Sequence, residues 1–108
     1  MAAVPDPIRI RARLKEGTTE VHVLMPHPME TGLRLDSTGR VAPPHFITEV
    51  QIHIAGRPVL TARFGRGVSA DPLLHFRFKG ASPGDRISVA WVDNLGERRT
   101  DETAILAA

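Results

Sequence analysis

The chain has 108 residues, 42% of them apolar and none a cysteine. That fits one domain over 1–108 and excludes disulfides, thiolate metal sites, iron–sulfur clusters and a cysteine nucleophile. Fourteen basic residues oppose twelve acidic ones for a net charge of +2, and because the signs are interspersed the balance does not read as a nucleic-acid footprint.

The elements read as strands. Ile8, Ile10, Ala12 and Leu14 alternate with Arg9, Arg11 and Arg13, the period of a half-buried strand with a charged outer face. Glu16-Gly17-Thr18-Thr19 is a turn, and Glu20 to Met25 returns as a second strand with Val21, Val23 and Met25 on one face. The two predict an N-terminal hairpin. Pro26 to Pro44 carries Pro28, Gly32, Gly39 and Pro43-Pro44 and reads as a long irregular loop, of a kind that is often functional. Strand signals resume over Phe46 to Ala55, Pro58 to Phe64, Leu74 to Phe78, Ile87 to Trp91 and Glu97 to Ile105. Asp93-Asn94-Leu95-Gly96 suits a hairpin turn. About seven short strands and no sustained 3.6-residue period predict an all-β, immunoglobulin-like antiparallel β-sandwich.

Chemistry is sparse. No serine sits in a nucleophile elbow and no spacing suggests a triad. Asp101-Glu102, adjacent in a strand, point to opposite faces. Gly65-Arg66-Gly67 is a turn rather than a phosphate loop. Met25-Pro26-His27-Pro28-Met29 sets two thioethers around an imidazole, a donor set that suits copper, with His22, His45 and His53 available to complete it. Packing of Met25 in the core and of Met29 at a contact surface is the plainer reading. The outward arginines suit sulfur oxyanions or carboxylates, but a charged stripe is more simply a solvated face that guards a sheet edge. Leu24, Met25, Met29, Leu33, Leu35, Val41, Phe46 and Ile47 gather in and around the long loop, which then either caps the sandwich or offers a patch to a partner.

The loop carries a resemblance. Val23-Leu24-Met25-x-His27-Pro28-Met29-Glu30-Thr31-Gly32-Leu33-Arg34, then Pro44-His45-Phe46-Ile47, Phe76-x-Phe78-Lys79-Gly80, Trp91-Val92-Asp93-Asn94-x-Gly96 and Arg99-Thr100-Asp101-Glu102 resemble the SoxZ family of bacterial sulfur oxidation, from Ile8 to Ile105. The resemblance implies a subunit paired with a SoxY-like partner, whose cysteine on a flexible arm carries sulfur intermediates during thiosulfate oxidation. It implies transient contacts with other enzymes of the pathway, and no nucleic acid or membrane. It also implies a periplasmic location, reached with the partner, since Met1 to Leu14 holds no apolar stretch of the signal-peptide kind. The expectation is therefore a non-catalytic subunit without a cofactor or metal, with Met25, His27, Met29, Leu33 and Phe46 at the partner interface on an exposed, Met-rich surface. The alternative is a small periplasmic copper-binding domain.

Overall fold

The computed structural model describes residues 5–108. Eight strands run in order: β1 (Arg9–Lys15), β2 (Thr18–Leu24), β3 (Ile47–Ile54), β4 (Arg57–Arg63), β5 (Leu73–Lys79), β6 (Arg86–Asp93), β7 (Arg98–Ala104) and β8 (Leu106–Ala107). They form two four-stranded sheets, β5-β2-β1-β8 and β4-β3-β6-β7. All neighbours pair antiparallel except β1 with β8, which run parallel over two residues. The immunoglobulin-like sandwich expected from the alternation is present, with the short β8 as an addition to the seven strands. No helix among the described residues is long and apolar enough to cross a membrane.

The core lies between the sheets and follows the period-2 phase of each strand. Val21 and Val23 of β2 face Val50, Ile52 and Ile54 of β3 and Ile87, Val89 and Trp91 of β6, all essentially inaccessible to solvent. Burying a Val or Ile side chain stabilises by roughly 1.5–3 kcal/mol, so this layer carries the fold. Ile10, Leu14, Leu74, Phe76 and Phe78 pack against its margin.

The segment between β2 and β3 is irregular, as its prolines and glycines predict, but it is not loose. Glu30 and His45 exchange both backbone hydrogen bonds, at 2.6 and 2.9 Å, and Leu35 bridges Val41. Beyond the Leu35–Val41 bridge the Asp36 carboxylate accepts from the Thr38 and Arg40 amides, closing the tip of a small finger. Gly32 has φ +83°, and a Cβ there would stand 3.0 Å from the Cβ of Pro44, so only glycine fits the base of the finger.

Candidate functional site

At the end of the sandwich, under this segment, His27, His45 and Asp93 converge. His27 is held between Pro26 and Pro28, whose rings restrict the local backbone. Its amide donates to the Asp71 carboxylate (3.0 Å) and its carbonyl accepts from the Asp71 amide (2.9 Å). The Met25 amide donates to the Pro72 carbonyl (2.9 Å). The 25–29 strip is thereby strapped to the loop before β5, and His27 is pressed inward until its side chain is 2% exposed.

Asp93 ends β6 in the same inward phase as Ile87, Val89 and Trp91. One carboxylate oxygen accepts from the Leu95 and Glu97 amides at 3.0 and 2.9 Å, capping the following turn. The other accepts from His27 Nε2 (3.1 Å) and His45 Nε2 (2.8 Å). His45 Nε2 also lies 3.2 Å from Glu97, at the surface. A fully buried carboxylate with four donors is satisfied as an anion. Burial alone would raise its pKa, but the hydrogen bonds from His27, His45 and the two amides outweigh burial and hold Asp93 below the usual carboxylate range.

The protonation of His27 follows from its neighbours. The Met29 amide donates to His27 Nδ1 at 3.0 Å, so Nδ1 carries a lone pair and the ring proton sits on Nε2, facing Asp93. Burial pushes the His27 pKa down, and the Asp93 hydrogen bond restores only part of the shift. A second ring proton would point Nδ1–H at the Met29 N–H, so geometry and burial both favour the neutral ring. The His27 ring meets Trp91 edge-on at 5.1 Å and His45 at 4.6 Å.

This arrangement is a closed hydrogen-bonded clamp. It ties the long segment, β6 and the β6–β7 turn together through one carboxylate. It does not supply the copper set that the sequence suggested. Both His27 nitrogens are engaged, and a cation on Nε2 would have to displace the proton that Asp93 accepts. Met29 directs its sulfur to the Ile47 amide at 3.3 Å, and Met25 is wholly enclosed in the core. His22 lies on β2 and His53 on β3; neither joins His27 and His45 in the cluster.

The five residues expected at a partner surface separate into two groups. Met25, His27 and Met29 are 0, 5 and 5% exposed, so the exposed Met-rich surface expected there is not found: the straps to Asp71 and Pro72 turn those side chains inward. Phe46 is half-buried against the core. Leu33 is 78% exposed, and Leu35 and Val41, paired below the tip of the finger, are exposed with it. Asp93 was not anticipated as a site residue. Its signal was present, because an Asp in phase with Ile87, Val89 and Trp91 occupies a core position and must find partners there.

A second histidine–carboxylate group lies on the outer face of the other sheet. His22 and His75 are cross-strand partners on β2 and β5, with rings stacked at 4.2 Å and 11° apart. Glu20 sits 3.2 Å from His75 and 3.8 Å from His22. Stacked rings hold their in-plane lone pairs in separate parallel planes, so the pair does not converge on a common ion.

Comparison with solved structures shows the fold. Similar chains include a single-substitution variant of the superoxide reductase (neelaredoxin) from Ignicoccus hospitalis, at 18% identity over 98% of this chain and 83% of that one, with a TM-score of 0.66. The superoxide reductase from Nanoarchaeum equitans is 12% identical over 97% of this chain and 96% of that one, with a TM-score of 0.67. The hypothetical protein PH1083 from Pyrococcus horikoshii OT3 is 16% identical over 94% and 88%, with a TM-score of 0.65. At such identities the likeness is one of architecture. No curated protein matches the sequence. The family described as "Sulphur oxidation protein SoxZ" matches residues 8–104, nearly the whole chain, including the His27 strip, the finger, His45 and the Asp93 turn. The chain therefore belongs to the SoxZ family of sulfur-oxidation proteins.

Proposed function

We propose that this chain is the non-catalytic subunit of a heterodimeric sulfur carrier, in which a SoxY-like partner holds the sulfur intermediates on its cysteine. Family membership supports the pathway. The chemistry of the chain supports the division of labour. Covalent sulfur carriage needs a thiolate, and the sequence has no cysteine. The buried imidazole–carboxylate group spends its hydrogen bonds on holding the fold. In this reading the heterodimer works in the periplasm, and the chain folds with its partner before export, which a domain without disulfides can do in a reducing compartment.

One observation carries the reading. Leu33, Leu35 and Val41 are 78, 63 and 57% exposed on a finger whose backbone is fixed at both ends by the Glu30–His45 bridge and the clamp beneath it. Apolar side chains displayed on a rigid support suit a protein partner, because little ordering entropy opposes docking. The partner contact proposed here thus keeps Leu33 and shifts from the buried methionines to the finger.

The test is co-expression with the cysteine-bearing partner, followed by size-exclusion chromatography with light scattering and intact mass measurement. Wild type is expected as a 1:1 heterodimer whose partner carries reductant-sensitive sulfur adducts. Leu33→Asp with Val41→Asp should weaken heterodimer formation at least tenfold, while the isolated variant keeps its stability within about 0.5 kcal/mol, as surface substitutions do. A folded variant of unchanged affinity would overturn the finger as the contact. A wild-type chain that purifies alone would overturn the carrier reading.

A further inference from the structure

The sequence spreads its charges evenly, but the fold does not. The register of β1, β2 and β5 stacks same-face residues in four rows: Arg9 with Leu24 and Leu73, Arg11 with His22 and His75, Arg13 with Glu20 and Arg77, and Lys15 with Thr18 and Lys79. Arg9, Arg11, Arg13, Lys15, Arg77 and Lys79 are all exposed. Same-face residues repeat every ~6.8 Å along a strand, and neighbouring strands lie ~4.8 Å apart. The six cations therefore cover a field roughly 20 Å long and 10 Å wide.

Only Glu20 interrupts that field, with Glu16 in the turn at its end. Six of the fourteen basic residues thus meet two of the twelve acidic ones on this face, leaving eight cations against ten carboxylates elsewhere. The face is positive on a molecule whose remainder is slightly negative. Nor is its charge neutralised from within: among the described residues, no salt bridge involves any of the six. Glu20, which stands among them, is engaged with His75 and His22. Of the eight cations elsewhere, three, Arg34, Arg86 and Arg99, each hold a carboxylate at 2.7–2.9 Å.

We propose that the outer face of β5-β2-β1 docks an acidic stretch of a partner protein. Gathering like charges on one face costs self-repulsion, which an opposing anionic surface relieves. The slightly negative remainder of the molecule orients such a partner toward this face. Nucleic acid fits less well. Single-strand binding faces combine cations with open aromatic platforms, whereas the four phenylalanines pack against the core, Trp91 lies within it, and the His22 and His75 rings are stacked on each other. The surface is separate from the apolar finger, and the two differ in kind. An exposed, unpaired cation array gives fast, salt-sensitive association, so this second contact is transient and reversible.

The test uses a fluorescent 20-residue poly-L-glutamate peptide as probe, titrated at 25 and 300 mM salt, with 15N chemical-shift mapping on the wild-type protein. Expected are saturable binding at low salt, at least tenfold weaker binding at high salt, and shifts confined to β1, β2 and β5. The face variant Arg11→Gln/Arg13→Gln/Arg77→Gln should bind at least tenfold more weakly. A distal triple, Arg40→Gln/Arg57→Gln/Arg66→Gln, removes the same charge elsewhere and should change affinity less than threefold. Equal losses in the two triples, shifts scattered over both sheets, or no binding by wild type would each overturn the proposal. Tighter binding of a 20-base-pair DNA duplex than of the peptide would overturn it in favour of a nucleic-acid partner.

Discussion

Among the described residues two clusters each join two histidines and a carboxylate, and they do opposite things. His27, His45 and Asp93 are gathered at the end of the core; His22, His75 and Glu20 lie on an outer sheet face in the middle of a basic field. The side-chain chemistry is the same and the separations are similar. What differs is water. Around His27 and Asp93 the polar contacts replace ones that solvent cannot supply, so losing a partner leaves a charge or donor stranded. In the exposed cluster water stands ready to replace either partner, and the same contacts contribute little. Burial, more than composition, decides which cluster holds the fold and which is free to meet another molecule.

The sharpest way to break this contrast is Asp93→Ala. The change removes the acceptor of the Leu95 and Glu97 amides and of the buried His27 N–H, leaves His45 with Glu97 alone, and uncouples the His27 strip from β6. Leaving a buried donor without its acceptor costs about 1–3 kcal/mol, and here several lose theirs together. Urea unfolding should show a loss of that size. A loss below about 1 kcal/mol, within the range of an exposed pair, would mean that the buried cluster is no more structural than the exposed one.

Much of the fold was legible in the sequence, because alternation with period 2 registers directly which residues face the core. The strand spans fell within one or two residues of those observed, apart from β8, where two residues leave no pattern to read. The candidate site was less legible. The Met25-Pro26-His27-Pro28-Met29 strip stood out, but its direction did not. Whether His27 points outward or inward is decided by Asp71 and Pro72, forty-odd residues away in sequence, and local pattern carries no trace of that strap. Part of the basic field was legible as the Arg9, Arg11 and Arg13 stripe, but its extent was hidden for a related reason. Arg11 and Arg77 are far apart in the chain and become neighbours only through the β1–β2–β5 register, so a sequence with mixed signs folded into a surface dominated by one.

An effect of intermediate size comes from pH. Burial holds the folded His27 below the 6.5 of a free imidazole. Between the folded value and 6.5 the unfolded chain binds more protons than the native one, so stability rises with pH in that window and is lost as pH falls below about 6.5. Asp93, held below 3.8 in the fold, adds a loss of its own only at still lower pH, as it falls through the folded value. Unfolding measured from pH 7.5 to 5.5 should therefore show declining stability, while the His27 ring resonances of the intact protein stay those of the neutral form over the upper part of the range. Stability that rises on acidification, or a His27 ring that titrates like a free imidazole, would show that the ring is neither buried nor neutral as described.

The smallest expected change is at Glu20, and it sharpens the comparison from the other side. Glu20→Gln removes the only carboxylate within the basic field while keeping the side chain's shape. Its contacts to His22 and His75, at 3.8 and 3.2 Å, are made by groups 40–46% exposed, so the unfolding free energy should move by less than about 0.5 kcal/mol. The consequence should appear in binding instead. One negative charge fewer makes the face more positive, so the poly-L-glutamate probe should bind severalfold more tightly at 25 mM salt, with the gain fading at 300 mM as screening shortens the reach of each charge. A Glu20→Gln variant destabilised as strongly as Asp93→Ala would make the exposed cluster a structural clamp of the same kind as the buried one. A stability that stays put while affinity rises would separate the two clusters by function, with two imidazoles and a carboxylate fastening the chain at one site and tuning its surface charge at the other.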